Sequence, residues 1–146
     1  MQGSTISPAE VMRRYRVIAV VGASKNPSKE AHMVPLYLKG NGYRLIPINP
    51  TADEIFGEKA YPSLLDLPES LAELVEVVEV FRPSEELPEV ARQVVEMRKR
   101  HQRQYVFWSQ LGLENEEAKE TLYRNGIPYV MNACMRVVHA SMAAGD

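Results

Sequence analysis

The chain has 146 residues, 45% hydrophobic and 25% charged, with a net charge of −2 and one cysteine. That length suits one domain burying roughly 68–70% of its unfolded surface. The charge argues against a general nucleic-acid binder, which is normally clearly basic. A lone Cys134 excludes an intramolecular disulfide framework and suits a reducing compartment.

The stretch from Met1 to Tyr15 carries no apolar signal core, and no run approaches a membrane span, so a cytoplasmic location is expected. Within it, Ser7-Pro8-Ala9-Glu10 predicts a helix start, with Ser as N-cap, Pro at the first helical position and Glu three residues after Ser. This short helix, reaching about Tyr15, is expected as an N-terminal extension of one domain spanning residues 1–146.

Val17-Ile18-Ala19-Val20-Val21 is an unbroken apolar run ending at Gly22, which predicts a strand buried on both faces, as in a parallel sheet. A helix over 32–39 closes at Gly40-Asn41-Gly42, a C-cap signal. Leu45–Ile48 reads as a second strand, with Pro47 marking an edge or an irregularity. Residues 50–71 read mostly as loop, with a helical turn at 63–66. Leu74–Phe81 is the third expected strand. Ser84 is expected to cap a helix whose stripe is Leu87, Val90, Ala91, Val94 and Val95, the spacing of one helical face. Tyr105–Trp108 follows as a strand, then a helix over 115–124, a strand at Pro128–Met131, and a last helix over 135–143. Strands alternating with helices define βαβ units. The expected fold is therefore α/β: a single doubly wound Rossmann-like domain with a mostly parallel five-stranded sheet and helices on both faces.

Open parallel sheets bind ligands beyond the carboxyl ends of their strands, where strand order reverses. The loop after the first strand reads Gly22-Ala23-Ser24-Lys25-Asn26-Pro27-Ser28-Lys29. Gly22 permits a tight turn, and Ala23 and Ser24 are small enough for their N–H groups to approach a phosphate. Ser24 adds a hydroxyl, and Lys25 and Lys29 add positive charge beside a helix N-terminus. A small-residue turn here also serves an α/β protein that binds nothing. After the third strand, Arg82 either reaches a phosphate or is a solvated cation, and Phe81 either stacks on a base or packs in the core. Gln110, past the fourth strand, either meets a ligand amide or closes its own loop. Glu79 falls inside a buried strand, where an unpaired carboxylate is costly or stays protonated. A structural role is expected for it.

Only the first glycine of Gly-x-Gly-x-x-Gly is present, and Asn49-Pro50 stands where an acid would hold ribose hydroxyls. An NAD(P)-linked oxidoreductase is thus the weaker alternative. His32, His101 and His139 show no metal spacing with one another or with Cys134, so no metal site is expected. Ser24 has neither a nucleophile elbow nor an evident base. Cys134 reads as a small buried hydrophobe or as a thiol that forms a mixed disulfide with a ligand sulfur.

Five segments occur in order: Ile18-Ala19-Val20-Val21-Gly22-Ala23-Ser24, Gly42-Tyr43-Arg44-Leu45-Ile46-Pro47-Ile48-Asn49-Pro50, Gly57-Glu58-Lys59-Ala60-Tyr61-Pro62-Ser63-Leu64, Val77-Val78-Glu79-Val80-Phe81-Arg82 and Gln110-Leu111-Gly112. Together they resemble the small stand-alone coenzyme A-binding domain proteins, which are similar to the N-terminal domain of the succinyl-CoA synthetase α subunit. The resemblance covers about Arg16 to His139. It implies a non-catalytic module that binds coenzyme A, free or acylated, with no nucleic-acid or membrane partner. The coenzyme would lie on Gly22, Ala23, Ser24 and Lys25 and on Val80, Phe81 and Arg82, with Asn49, Pro50 and Gln110 at the same edge. Where the family usually places lysine this chain has Thr51. It has Glu79 where many members carry aspartate, and Asn132-Ala133-Cys134 for Asp-Arg-Cys. The synthetase's phosphohistidine belongs to a second domain, so ligase activity is expected to be absent. Exposed sheet edges would allow a homodimer.

Overall fold

In the computed structural model, residues 5–145 are described. Residues 1–4 of the expected N-terminal extension lie outside that range. The elements in order are α1 (Pro8–Arg14), β1 (Val17–Val21), α2 (Glu30–Lys39), β2 (Arg44–Ile48), β3 (Glu54–Ile55), β4 (Glu58–Lys59), α3 (Glu69–Ala72), β5 (Val77–Val80), α4 (Leu87–His101), β6 (Val106–Ser109), α5 (Glu116–Arg124), β7 (Tyr129–Val130) and α6 (Met135–Gly145).

Five strands form one parallel sheet in the order β2-β1-β5-β6-β7. From β1 the chain moves outward to β2, then crosses back to β5 on the other side of β1. Strand order therefore reverses between β1 and β5. Alternate residues of each strand serve two cores. Ala19, Val21, Ile46, Val78, Val80 and Phe107 face one layer, closed by α3, α4 and α5. Ile18, Val20, Leu45, Val77, Val106 and Trp108 face the other, closed by α1, α2 and α6. This is the Rossmann-like, doubly wound α/β architecture expected, and burial on both faces is why the strands read as continuous apolar runs.

Ser7 caps α1 by accepting from the Glu10 N–H at 3.4 Å. Only half of the capping box forms, because the Glu10 carboxylate pairs with Arg14. Val11 and Met12 are buried against the second layer. At the C-terminal side of α5 the expected Asn125 follows Arg124, and at its start Asn115 accepts from Ala118 N–H at 2.9 Å.

Several expectations require correction. The third strand starts at Val77, not Leu74: α3 occupies 69–72, and Leu74 is 44% exposed. Within 50–71, read as loop, β3 and β4 form a two-stranded antiparallel hairpin. Its tip puts Phe56 at φ 61° and Gly57 at φ 76°, where a bulky residue is unusual and the customary Asn-Gly signal is absent. Phe56 is held there by a ring contact with His32, 5.3 Å between centroids, and by Lys39 Nζ donating to its carbonyl. Ser84 does not cap α4. It opens a short 3₁₀ turn, Ser84–Glu86, and its hydroxyl oxygen accepts from the Glu114 N–H at 3.1 Å.

Pro47 lies on an edge strand, as its imino nitrogen suggests. Arg44 donates its N–H to Arg16 on the β1 side at 2.8 Å; alternation along the strand then turns the Pro47 nitrogen outward. Tyr61 donates its N–H to the Pro47 carbonyl at 3.1 Å and bridges Ile48. At the opposite edge Thr5 bridges Tyr129. The edges that were expected to be open for dimerisation are thus each partly occupied by the chain itself.

Candidate functional site

The reversal of strand order brings the loop after β1 against the loop after β5. Gly22 has φ +84°, and a Cβ there would stand 2.9 Å from the Phe81 carbonyl oxygen. Only glycine fits both the backbone angle and the approach. The contact forms a ridge across the carboxyl edge of the sheet, with a cavity on each side.

On the α4 side, a cavity of about 370 Å³ is lined by Gly22, Pro50, Pro62, Ser63, Arg82 and the glutamates Glu85, Glu86 and Glu89, among others. Arg82 is half-exposed and engaged: its guanidinium donates to Glu86 at 2.7 and 3.1 Å. On the α2 side, a cavity of about 560 Å³ is lined by Lys29, Glu30, Ala31, Phe81, Gln110, Leu111, Leu113, Cys134 and Val137. Here the N-terminus of α2 opens onto space. The His32 N–H already donates to the Lys29 carbonyl at 2.9 Å; the N–H groups of Glu30 and Ala31 precede any intrahelical acceptor, and Lys29 adds charge where an anion is favoured.

The β1 loop is held by its own groups. Gly22 donates its N–H to Ile48 and Ser24 donates its N–H to Ala31, at 3.0 and 3.2 Å. The Ala31 carbonyl is free to accept because Pro35, four residues on in α2, has no N–H. The Ser24 hydroxyl oxygen accepts from Asn26 N–H at 3.0 Å, leaving the hydroxyl hydrogen available to donate. Lys25 is exposed, whereas the Ala23 side chain is buried. Of the two loop amides expected to approach a phosphate, Ala23 and Ser24, that of Ser24 is already committed to Ala31.

Asn49 is a clip between loops. Its amide nitrogen donates to the Ala23 carbonyl at 2.8 Å, and its oxygen accepts from the Thr51 and Ala52 N–H groups at 2.8 and 3.0 Å. Val80 is fully buried and its carbonyl accepts the Gln110 N–H at 3.2 Å; its side chain is core. Phe81 packs on the α2-side core and also lines the larger cavity. Gln110 is 4% exposed, and its Oε1 accepts from the Met135 N–H at 3.3 Å. Of the expected site residues, Gly22, Pro50 and Arg82 border one cavity and Phe81 and Gln110 the other. Ser24 and Lys25 sit on the intervening loop.

Glu79 is fully buried between Val20 and Trp108 in the sheet, and neither carboxyl oxygen has a hydrogen-bond partner. Burial pushes its pKa from 4.5 up to about 8 and so favours the protonated, neutral form. Cys134 is half-buried on the wall of the larger cavity. Among the described residues no group of three or more His, Cys, Asp or Glu is arranged to hold a metal ion, and no helix is long and apolar enough to cross a membrane.

In a doubly wound sheet the reversal point, at the carboxyl ends of the strands, is where ligands bind. Residues 16–140 match the family described as CoA binding domain, and the chain belongs to that family. It is 41% identical over 131 residues to the uncharacterised Bacillus subtilis protein YneT, covering 90% of each chain. Over 75 residues it is 37% identical to the ADP-forming acetate–CoA ligase II of Archaeoglobus fulgidus, a match to half of this chain and 10% of that enzyme. A solved Thermus thermophilus structure, cell-free ID.343, superposes with a TM-score of 0.81 at 36% identity, covering 94% of this chain and 99% of that one.

Proposed function

We propose that this protein is a non-catalytic coenzyme A-binding module of the cytoplasm, and that the coenzyme crosses the Gly22–Phe81 ridge. The close approach of those two residues, with a cavity on either side, is the observation that carries the reading. The nucleotide half lies toward Pro50, Ser63 and Arg82. The diphosphate meets the Ser24 hydroxyl, Lys25 and the N-terminus of α2, with Lys29 nearby and Glu30 opposing. The pantetheine arm runs toward Phe81 and Gln110. A nicotinamide cofactor is disfavoured because Asn49, at the position where an acid would hold ribose, has its side chain committed to Ala23, Thr51 and Ala52.

Parallel thermal-shift titrations with coenzyme A, NAD and NADP test the reading. Coenzyme A at a hundredfold excess over its dissociation constant should stabilise the fold by about 2.7 kcal/mol. Lys25→Glu should weaken that response severalfold. A shift with NAD or NADP alone would overturn the assignment.

A further inference from the structure

The larger cavity has more apolar wall than a free coenzyme arm needs. Pantetheine is a chain of amides ending in a thiol. Of the cavity's nine lining residues, five are apolar: Ala31, Phe81, Leu111, Leu113 and Val137. Leu111 and Val137 are 66% and 60% exposed at this wall, which is costly surface to leave in water. Gln110 also faces this cavity. It is 96% buried, its Oε1 is taken by Met135, and its Nε2 donor has no partner among the described residues. With Oε1 engaged, Nε2 is the part of the Gln110 amide left to meet an acceptor in this cavity.

The geometry points to an acyl thioester as the ligand: the Gln110 Nε2 donates to the acyl carbonyl, and the acyl chain lies along Phe81, Leu113, Leu111 and Val137. This deepens the coenzyme reading above and rests on it. Covering Leu111 and Val137 then becomes part of the binding free energy, so affinity depends on chain length. Free coenzyme A lacks the acyl chain and leaves Leu111 and Val137 uncovered.

Calorimetric titration of the full chain with coenzyme A, acetyl-CoA, butyryl-CoA and hexanoyl-CoA tests this. Affinity should rise along the acyl series by about three- to fourfold per added methylene, the factor matching ~0.8 kcal/mol per buried CH₂. Val137→Asp, at an exposed position, should collapse the ratio of hexanoyl-CoA to coenzyme A affinity toward one. Gln110→Ala, checked for folding by circular dichroism, should lower the acetyl-CoA to coenzyme A ratio. Equal affinities for coenzyme A and hexanoyl-CoA would overturn this inference and leave the coenzyme reading standing. A chain-length effect untouched by Val137→Asp would put the chain elsewhere and overturn the assignment. If no member of the series binds, the coenzyme reading itself falls.

Discussion

Ser24 donates its backbone N–H to the carbonyl of Ala31, the second residue of α2, at 3.2 Å. The β1 loop is thereby anchored to the helix that follows it, by an acceptor that Pro35 leaves open.

Replacing that proline tests the coupling. In Pro35→Ala the new N–H competes for the Ala31 carbonyl and the loop loses its anchor. Hydrogen exchange at the Ser24 amide should accelerate by about fivefold, the equivalent of one net hydrogen bond of ~1 kcal/mol. Exchange measured by NMR that stays at the parental rate would show that other contacts fix the loop.

The Arg82–Glu86 pair sets up a competition at the smaller cavity. Both side chains are about 40% exposed, so the pair contributes less than about 1 kcal/mol to stability. Glu86→Gln should therefore change the melting temperature little, yet raise coenzyme A affinity up to about fivefold by releasing the guanidinium for phosphate. Arg82→Ala should lower it. Titrations at low ionic strength are the suitable measurement, because salt screens both effects.

Thr51 is exposed, and its N–H is held by Asn49. A lysine there gives up only the exposed hydrogen bond from the Thr51 hydroxyl to Asn49 Oδ1 at 3.2 Å and supplies the cation that the resemblance leads one to expect. Thr51→Lys should tighten coenzyme A binding several-fold through a charge-assisted phosphate contact, with the unliganded melting temperature unchanged. Identical dissociation constants for the two proteins would remove the phosphate from this corner of the site.

Glu79 gives stability a pH dependence of unusual sign for a carboxyl group. The unfolded chain loses this proton near 4.5, whereas the folded protein keeps it until about 8. Between those values the folded state binds the extra proton, so stability falls as pH rises and levels off above about 8. Glu79→Gln removes the ionisation while keeping the shape. It should flatten the slope and raise stability at pH 7 by on the order of 3 kcal/mol. Urea midpoints collected from pH 4 to 9 would reveal the slope; a flat parental profile would contradict the buried, unpartnered assignment.

The parallel sheet was legible because its strands are buried on both sides, so Val17–Val21 and Val77–Val80 stand out as apolar blocks. Helix α4 was legible from its stripe. The hairpin at 54–59 was not: its strands are two residues each, too short for any alternation to show, and its tip relies on Phe56 being held by His32 and Lys39 from α2. Ser84 misled because a cap and a loop tie use the same hydroxyl, and only the tertiary position of Glu114 decides between them. At the candidate site, residue types pointed to the carboxyl edge of the sheet, but the internal commitments of Ser24, Asn49 and Val80 depend on partners that residue type alone does not disclose. The i,i+4 spacing of Arg82 and Glu86 was the one such commitment that the sequence could have disclosed.

The outward-facing nitrogen of Pro47 has a consequence for behaviour in concentrated solution. An unpaired β2 rim would be a template on which strands of other copies could stack into fibrils. Here that rim presents an imino nitrogen that cannot donate, and Tyr61 already occupies the Pro47 carbonyl. Cross-β growth on this side of the molecule lacks both a donor and an acceptor at Pro47.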